Sequence, residues 1–178
     1  LGFGTVTDEE YVRAFAEALF EGYPRLIKEL GGEVTVSPYS ADFPNLPGSK
    51  CIVGISRPKE LGYGLFQLLS RNVENRRIRI MFETPAKELI QDCRTKEIIG
   101  VTAVTGRRRI AIKARRGVIL ACGGYENDPE MQGYFNYPGV RFYPRGTLAN
   151  EGDGIRMAQK VGAALWHFAS IELGPYCI

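Results

Sequence analysis

Residues 117–125 read GVILACGGY, and no other stretch of this chain narrows the choice of fold so far. Val118-Ile119-Leu120-Ala121 shows no alternation of polar and apolar residues. A strand with one face in water alternates, so an unbroken apolar run predicts a parallel strand covered on both faces. The run ends in Cys122-Gly123-Gly124. Ligands of open α/β sheets bind beyond the carboxyl ends of such strands, where glycine lets backbone approach a bound molecule. A plain tight turn after a buried strand is the equal alternative. Cys122 likewise reads either as a small buried residue or as a thiol that needs an activating neighbour.

The flanking sequence adds antiparallel and helical parts, giving an α/β class with α+β character. Residues 87–91, 98–104 and 109–114 are short strand-like segments separated by the polar turns DCRTKE and TGRR, which predicts an antiparallel meander. Residues 78–82 predict a further strand and 65–75 a helix. Near the start, Thr7 or Asp8 can cap a helix on which Tyr11, Phe15, Ala18, Leu19, Leu26 and Leu30 recur at near-helical intervals. Pro24 should kink or divide it, and Gly31-Gly32 should end it. Residues 37–64 predict a long Pro/Gly-rich loop, because Pro38, Pro44, Pro47 and Pro58 exclude regular helix. Cys51-Ile52-Val53 is a short strand candidate within that loop.

Composition limits the function classes. A chain of 178 residues with 44% hydrophobic content can bury a core as one domain or as part of a larger one. It opens on Leu1 with neither a signal-peptide nor a transit pattern, so the expectation is an internal piece of something longer. No apolar run approaches the roughly 20 residues that cross a bilayer, and no membrane partner is expected. The four cysteines form no CxxC pair and His167 is the only histidine, so no metal site is expected. Dispersed cysteines fit a reducing compartment and a cytoplasmic location. The net charge is only +3, yet basic residues cluster at 71–79 and 107–116, which raises nucleic acid as a partner. The meander lacks the interleaved aromatics of a stacking platform, and charged edges discourage unwanted strand pairing. The expected reading is a solvated face and no nucleic-acid partner.

A third feature is NEGDGIRMAQKVGAAL at residues 150–165. Asp153 stands just ahead of a run with helical spacing and reads as a helix cap at the positive end of the dipole. Gly152 and Gly154 also leave room for a polar ligand against the turn.

Three blocks in order, ETPAKELIQDCRTKEIIGVTA (83–103), GVILACGGYENDPEM (117–131) and NEGDGIRMAQKVGAALWHF (150–168), resemble the FAD-dependent oxidoreductases of the fumarate reductase, succinate dehydrogenase flavoprotein and 3-ketosteroid dehydrogenase group. With the helix from Asp8 and the following loop, the likeness covers nearly the whole chain. It implies a partial FAD-binding domain with parallel strands, an antiparallel β-meander and flanking helices. The resemblance also implies cofactor-binding positions: Ala86 near the adenosine end through its backbone, Ala121, Cys122 and Gly123 at the strand end, and Gly152 and Asp153 against the cofactor. Many members have threonine where this chain has Cys122, which removes a hydroxyl hydrogen bond. The parent activity so implied is hydride transfer between FAD and an activated carbon–carbon bond of a small enoate- or enone-like substrate, with no catalytic residue assigned in this chain.

No G-x-G-x-x-G occurs: Gly2-Phe3-Gly4, Gly62-Tyr63-Gly64 and Gly152-Asp153-Gly154 each lack the third glycine. The expectation is therefore a single domain over residues 1–178, without the glycine-rich N-terminal unit or a C-terminal substrate-covering domain. Alone it should be inactive, hold FAD weakly or not at all, and risk self-association at an exposed sheet edge. Tyr125, Tyr134, Phe135, Tyr137, Phe142 and Tyr143 read as packing aromatics, with substrate contact as the alternative. Arg141 and Arg145 read as surface residues and His167 as a histidine suited to a helix C-terminus. A non-catalytic binding module and a basic nucleic-acid-binding domain are the two other classes.

Overall fold

The computed structural model describes residues 8–38, 44–45, 47–51, 54–136, 143–144, 146–166 and 168. The expectations for Thr7, Ile52, Val53, Tyr137, Arg141, Phe142, Arg145, His167 and Cys177 lie outside these residues. The chain is mixed α/β and divides into two compact units, Val6–Ile80 and Met81–Ile178. Among the described residues, no helix is long and apolar enough to cross a membrane.

In the first unit, Asp8 caps helix α1 (Glu9–Glu17) by accepting a 2.9 Å bond from the Glu10 N–H. Its carboxylate and those of Glu9 and Glu10 meet the positive end of the dipole. The chain then widens into a π-helical stretch, Ala18–Gly22, before α2 (Tyr23–Glu29), whose first turn contains Pro24. Proline cannot donate in a helix and its ring crowds the preceding turn, so the division expected at Pro24 is where the helix changes register. Gly31, at φ +79°, ends it. Ile27 is the best-buried side chain, 2% exposed, and with Leu68 it closes over Gly32, where a Cβ would stand 2.8 Å and 2.5 Å from those two side chains. Burial of one such isoleucine is worth about 1.5–3 kcal/mol.

The long loop expected at 37–64 needs correction. Strand β1 (Val34–Pro38) pairs antiparallel with β2 (Gly54–Pro58), a 3₁₀ turn at Ser49–Cys51 lies between them, and α3 (Leu61–Asn75) starts inside the supposed loop. Pro38 and Pro58 sit at strand ends, facing Gly54 and Val34, where a missing donor disturbs little of the ladder. Asn72 on α3 donates 2.9 Å bonds to the Leu30 and Leu68 carbonyls, tying the end of α2 to α3. The strand expected at 78–82 does not form: Arg77 and Glu83 both take left-handed backbone, and Ile78, Ile80 and Phe82 stay exposed.

The second unit contains the expected meander. Strands β3 (Ala86–Gln91), β4 (Ile98–Thr105) and β5 (Arg108–Lys113) form one antiparallel sheet in that order, with Leu89 opposite Val101 and Val101 opposite Ile112. In the turn after β3, Asp92 accepts from the Arg94 and Thr95 N–H groups, and these bonds hold its carboxyl below the usual carboxylate range. Two helices follow, α4 (Pro129–Phe135) and α5 (Asp153–Lys160). The end of α5 rests on β3: Gln91 Nε2 donates to the Val161 carbonyl at 3.3 Å, and Lys160 lies 3.9 Å from Glu88.

The parallel strand expected from VILA is not seen among the described residues. Both sheets among the described residues are antiparallel, and residues 117–121 run without strand pairing, with Ile119 91% exposed. An apolar run becomes a strand only when neighbours satisfy its backbone N–H and C=O groups, and no described strand does so here.

Candidate functional site

The site grows from two chain reversals far apart in sequence, residues 122–124 and 150–154. They are joined directly. Gly152 N–H donates to the Gly124 carbonyl at 2.9 Å, and Asn127 N–H donates to the Asn150 carbonyl at 3.0 Å. Gly152 is buried at φ +80°, a backbone region L side chains adopt only under strain, and its carbonyl accepts the first helical bond, from Arg156 N–H, at 3.0 Å. It is therefore the N-cap of α5. Asp153 is the first residue inside the helix, which corrects its reading as the cap.

The bare backbone at these reversals has a use within the protein. A Cβ on Gly123 would overlap the Asn150 carboxamide, one on Gly152 would overlap Met131 Sδ, and one on Gly154 would stand 2.5 Å from Cys122 Sγ. Packing of this chain's own side chains thus accounts for three glycines that the sequence allowed a ligand to account for. What is left open lies on the outer side: Ala121, Cys122, Gly123 and Asp153 are exposed, while Gly152 and Gly154 are buried. Ala86 is exposed at the start of β3, opposite Ala103. The structure brings the second and third blocks together, and Ala86 lies at the start of β3, the strand on which the end of α5 rests.

Next to this junction lies a set of residues that the sequence reading passed over. Asp128 caps α4, accepting a 2.8 Å bond from Met131 N–H, and pairs with Arg156 on α5. The Met131 N–H first, and the Arg156 guanidinium second, hold the Asp128 carboxyl below the usual carboxylate range. The run Asp-Pro-Glu at 128–130 was the available signal, an N-cap followed by proline at the first helical position. Asn150 donates through Nδ2 to Glu126 Oε1. Tyr125 packs against Phe135 and Phe168 at ring separations of 5.4 and 5.7 Å, these two lying 4.8 Å from each other, and donates its hydroxyl to the Phe168 carbonyl at 2.9 Å. Burial raises the Tyr125 pKa, so its proton stays in place. Tyr125 and Phe135 are packing aromatics, whereas Tyr134 and Tyr143 are exposed.

The chemistry offered on the open side is simple. Gly152 has no side chain to cap α5, and among the described residues no side chain is seen to do so, which leaves its first-turn N–H groups as donors at the positive end of a helix dipole. The exposed Asp153 carboxylate beside them only accepts. Such a pairing suits a ligand that carries both anionic or carbonyl oxygens and hydroxyl groups. Among the described residues no group of His, Cys, Asp and Glu could hold a metal ion.

Comparison with known proteins gives the same direction. A family model described as "FAD binding domain" matches residues 5–177. The chain is 53% identical over 55 residues to a 3-oxosteroid 1-dehydrogenase of Mycobacterium tuberculosis, covering 30% of this chain and 10% of that protein. It is 26% identical over an aligned 181 positions to a urocanate reductase of Eggerthella lenta, covering 99% of this chain and 29% of that protein. In fold it is similar to the 3-ketosteroid-Δ4-(5α)-dehydrogenase of Rhodococcus jostii RHA1, with a TM-score of 0.80 and 22% identity over 95% of this chain and 40% of that one. The chain thus spans well under half the length of these proteins.

Proposed function

The chain belongs to the FAD-binding domain family of flavin-dependent oxidoreductases, and from that premise we propose that it forms one wall of the FAD site in an enzyme that moves hydride to or from an activated carbon–carbon bond. The flavin supplies the redox chemistry when bound. The protein's part is to hold and orient it. Asp153 accepts from ribityl or ribose hydroxyls, because a carboxylate has no proton to give. The uncapped first turn of α5 donates to phosphate or carbonyl oxygens of the same cofactor. Ala121, Cys122 and Gly123 offer exposed backbone beside it, Gly152 sets the turn that aims Asp153 outward, and Ala86 meets the adenosine end through its backbone. The substrate is a small enone- or enoate-like molecule, and the location is cytoplasmic. Without a G-x-G-x-x-G loop to carry the pyrophosphate, these 178 residues by themselves hold FAD weakly.

The observation that carries this reading is the junction of Gly152 with Gly124 beneath an uncapped helix start bearing an exposed acid. The test is direct. The complete gene product is purified and denatured, and the supernatant is scanned for released flavin; turnover is then followed with a 3-ketosteroid and a redox dye, and with an enoate and a reduced dye. Bound flavin with turnover of either substrate class supports the proposal. A protein that neither carries flavin nor takes up added FAD overturns it.

A further inference from the structure

Resting on the FAD reading above, we propose that Glu126 and Asn150 are positioning residues that back the Gly123-Gly124 turn from behind and thereby set the geometry of the cofactor wall. Each side chain occupies the place of a missing Cβ. The Asn150 carboxamide lies where a Cβ on Gly123 would be, and Glu126 Oε2 lies 2.5 Å from where one on Gly124 would be. The two side chains are joined by the bond from Asn150 Nδ2 to Glu126 Oε1, so they form one plate. The neighbouring backbone adds to it: Asn150 C=O accepts from Asn127 N–H, and Gly152 N–H donates to Gly124 C=O. A side chain on Gly123 would be strained at φ +79° and would overlap Asn150, whereas one on Gly124 would have to displace the Glu126 carboxylate. The plate covers one side of the turn while Cys122 and Gly123 remain exposed. Without the plate the Gly-Gly segment has wide conformational freedom, and FAD would have to order it on binding.

The pair is an amide donor facing a carboxylate acceptor, and this makes it testable by exchange of roles. Asn150→Asp puts two carboxylates against each other and removes the donor. Glu126→Gln combined with Asn150→Asp restores one donor and one acceptor in reverse. Two readouts are taken on the complete gene product: amide hydrogen exchange at Gly124 and Gly152 without FAD, and FAD affinity by flavin fluorescence, with the melting temperature of the FAD-free protein recorded alongside. The expected result for Asn150→Asp is at least tenfold faster exchange at Gly152 and about tenfold weaker FAD binding. The double variant should return both to within about threefold of the starting protein. Unchanged exchange in Asn150→Asp, or no recovery in the double variant, overturns the inference. A general loss of melting temperature with FAD affinity unchanged also overturns it, since the pair would then be stabilising without positioning. A starting protein that binds no FAD sinks the proposed function instead, and exchange at Gly152 still decides whether the plate exists.

Discussion

Helices α4 and α5 both begin beside an aspartate, and its neighbours decide what each aspartate does. At α4 the chain reads Asn-Asp-Pro: Asp128 takes the N-cap position in extended backbone, spends one oxygen on Met131 N–H and gives the other to Arg156. At α5 it reads Gly-Asp-Gly: Gly152 takes the cap in left-handed backbone, and Asp153 is moved one residue into the helix and left exposed. The first arrangement uses its acid for structure. The second closes its helix start through backbone and leaves its acid exposed, with no side-chain cap bond at its N-cap. An aspartate at a helix start is thus the cap, as at 128, or an exposed first-turn residue, as at 153 where the residue before it takes a positive φ.

The sharpest way to break this comparison is Gly152→Ala. The new Cβ overlaps Met131 Sδ and lies 3.3 Å from the Tyr125 Cβ, on backbone at φ +80°. Strain and overpacking together should cost about 3 kcal/mol, seen as a lower urea midpoint with an unchanged slope. A loss near zero would mean that the turn re-forms without its glycine, and that Asp153 is free to become the cap after all. Next in size is Asp128→Ala, which removes a cap and strands Arg156; about 1–2 kcal/mol is expected, again from the urea midpoint. Asp128→Asn keeps a good capping residue and should lose clearly less.

What the sequence could reveal follows the range of each interaction. Asp8, Pro24, Gly31 and the polar turns of the meander act on their immediate neighbours, and the helices and strands they delimit were legible. The β1–β2 hairpin was obscured because Pro38 and Pro58 act as breakers in sequence, while their positions opposite Gly54 and Val34 make them harmless strand ends. The strand expected at VILA is not confirmed, because strand formation depends on partners, which a local pattern does not contain. In the site, the glycines were recognisable as special, but the reason was not: the side chains that fill their missing Cβ positions at 123, 152 and 154 come from Asn150, Met131 and Cys122, all distant in sequence. Asp128 was legible in Asp-Pro-Glu, whereas its partner Arg156 was not.

Asp128 should also make stability respond to pH. The Asp128 carboxyl titrates below the value it has in the unfolded chain, because Met131 N–H and Arg156 favour its charged form. Its contribution is therefore complete above the unfolded value of about 4 and is lost as pH falls through the lower folded one. A stability profile by thermal melting should fall less steeply in that acid window for Asp128→Asn than for the starting protein. Equal slopes would mean that the carboxylate adds nothing beyond the amide cap.

Asp153→Ala should have the smallest effect on folding and a separate effect on binding. An exposed acid in a first turn gains from the helix dipole and weakly from the charge of Arg156, so stability should change by no more than about 0.5 kcal/mol. FAD affinity of the complete gene product should fall about tenfold, which is the loss of one hydrogen bond to a charged group. The two numbers together separate the alternatives. A stability loss like that of Asp128→Ala, with FAD affinity intact, would make Asp153 a structural acid and erase the distinction between the helix starts. No change in either would leave the acid without a role and shift the weight of the site onto the first-turn N–H groups, which substitution at 153 leaves in place.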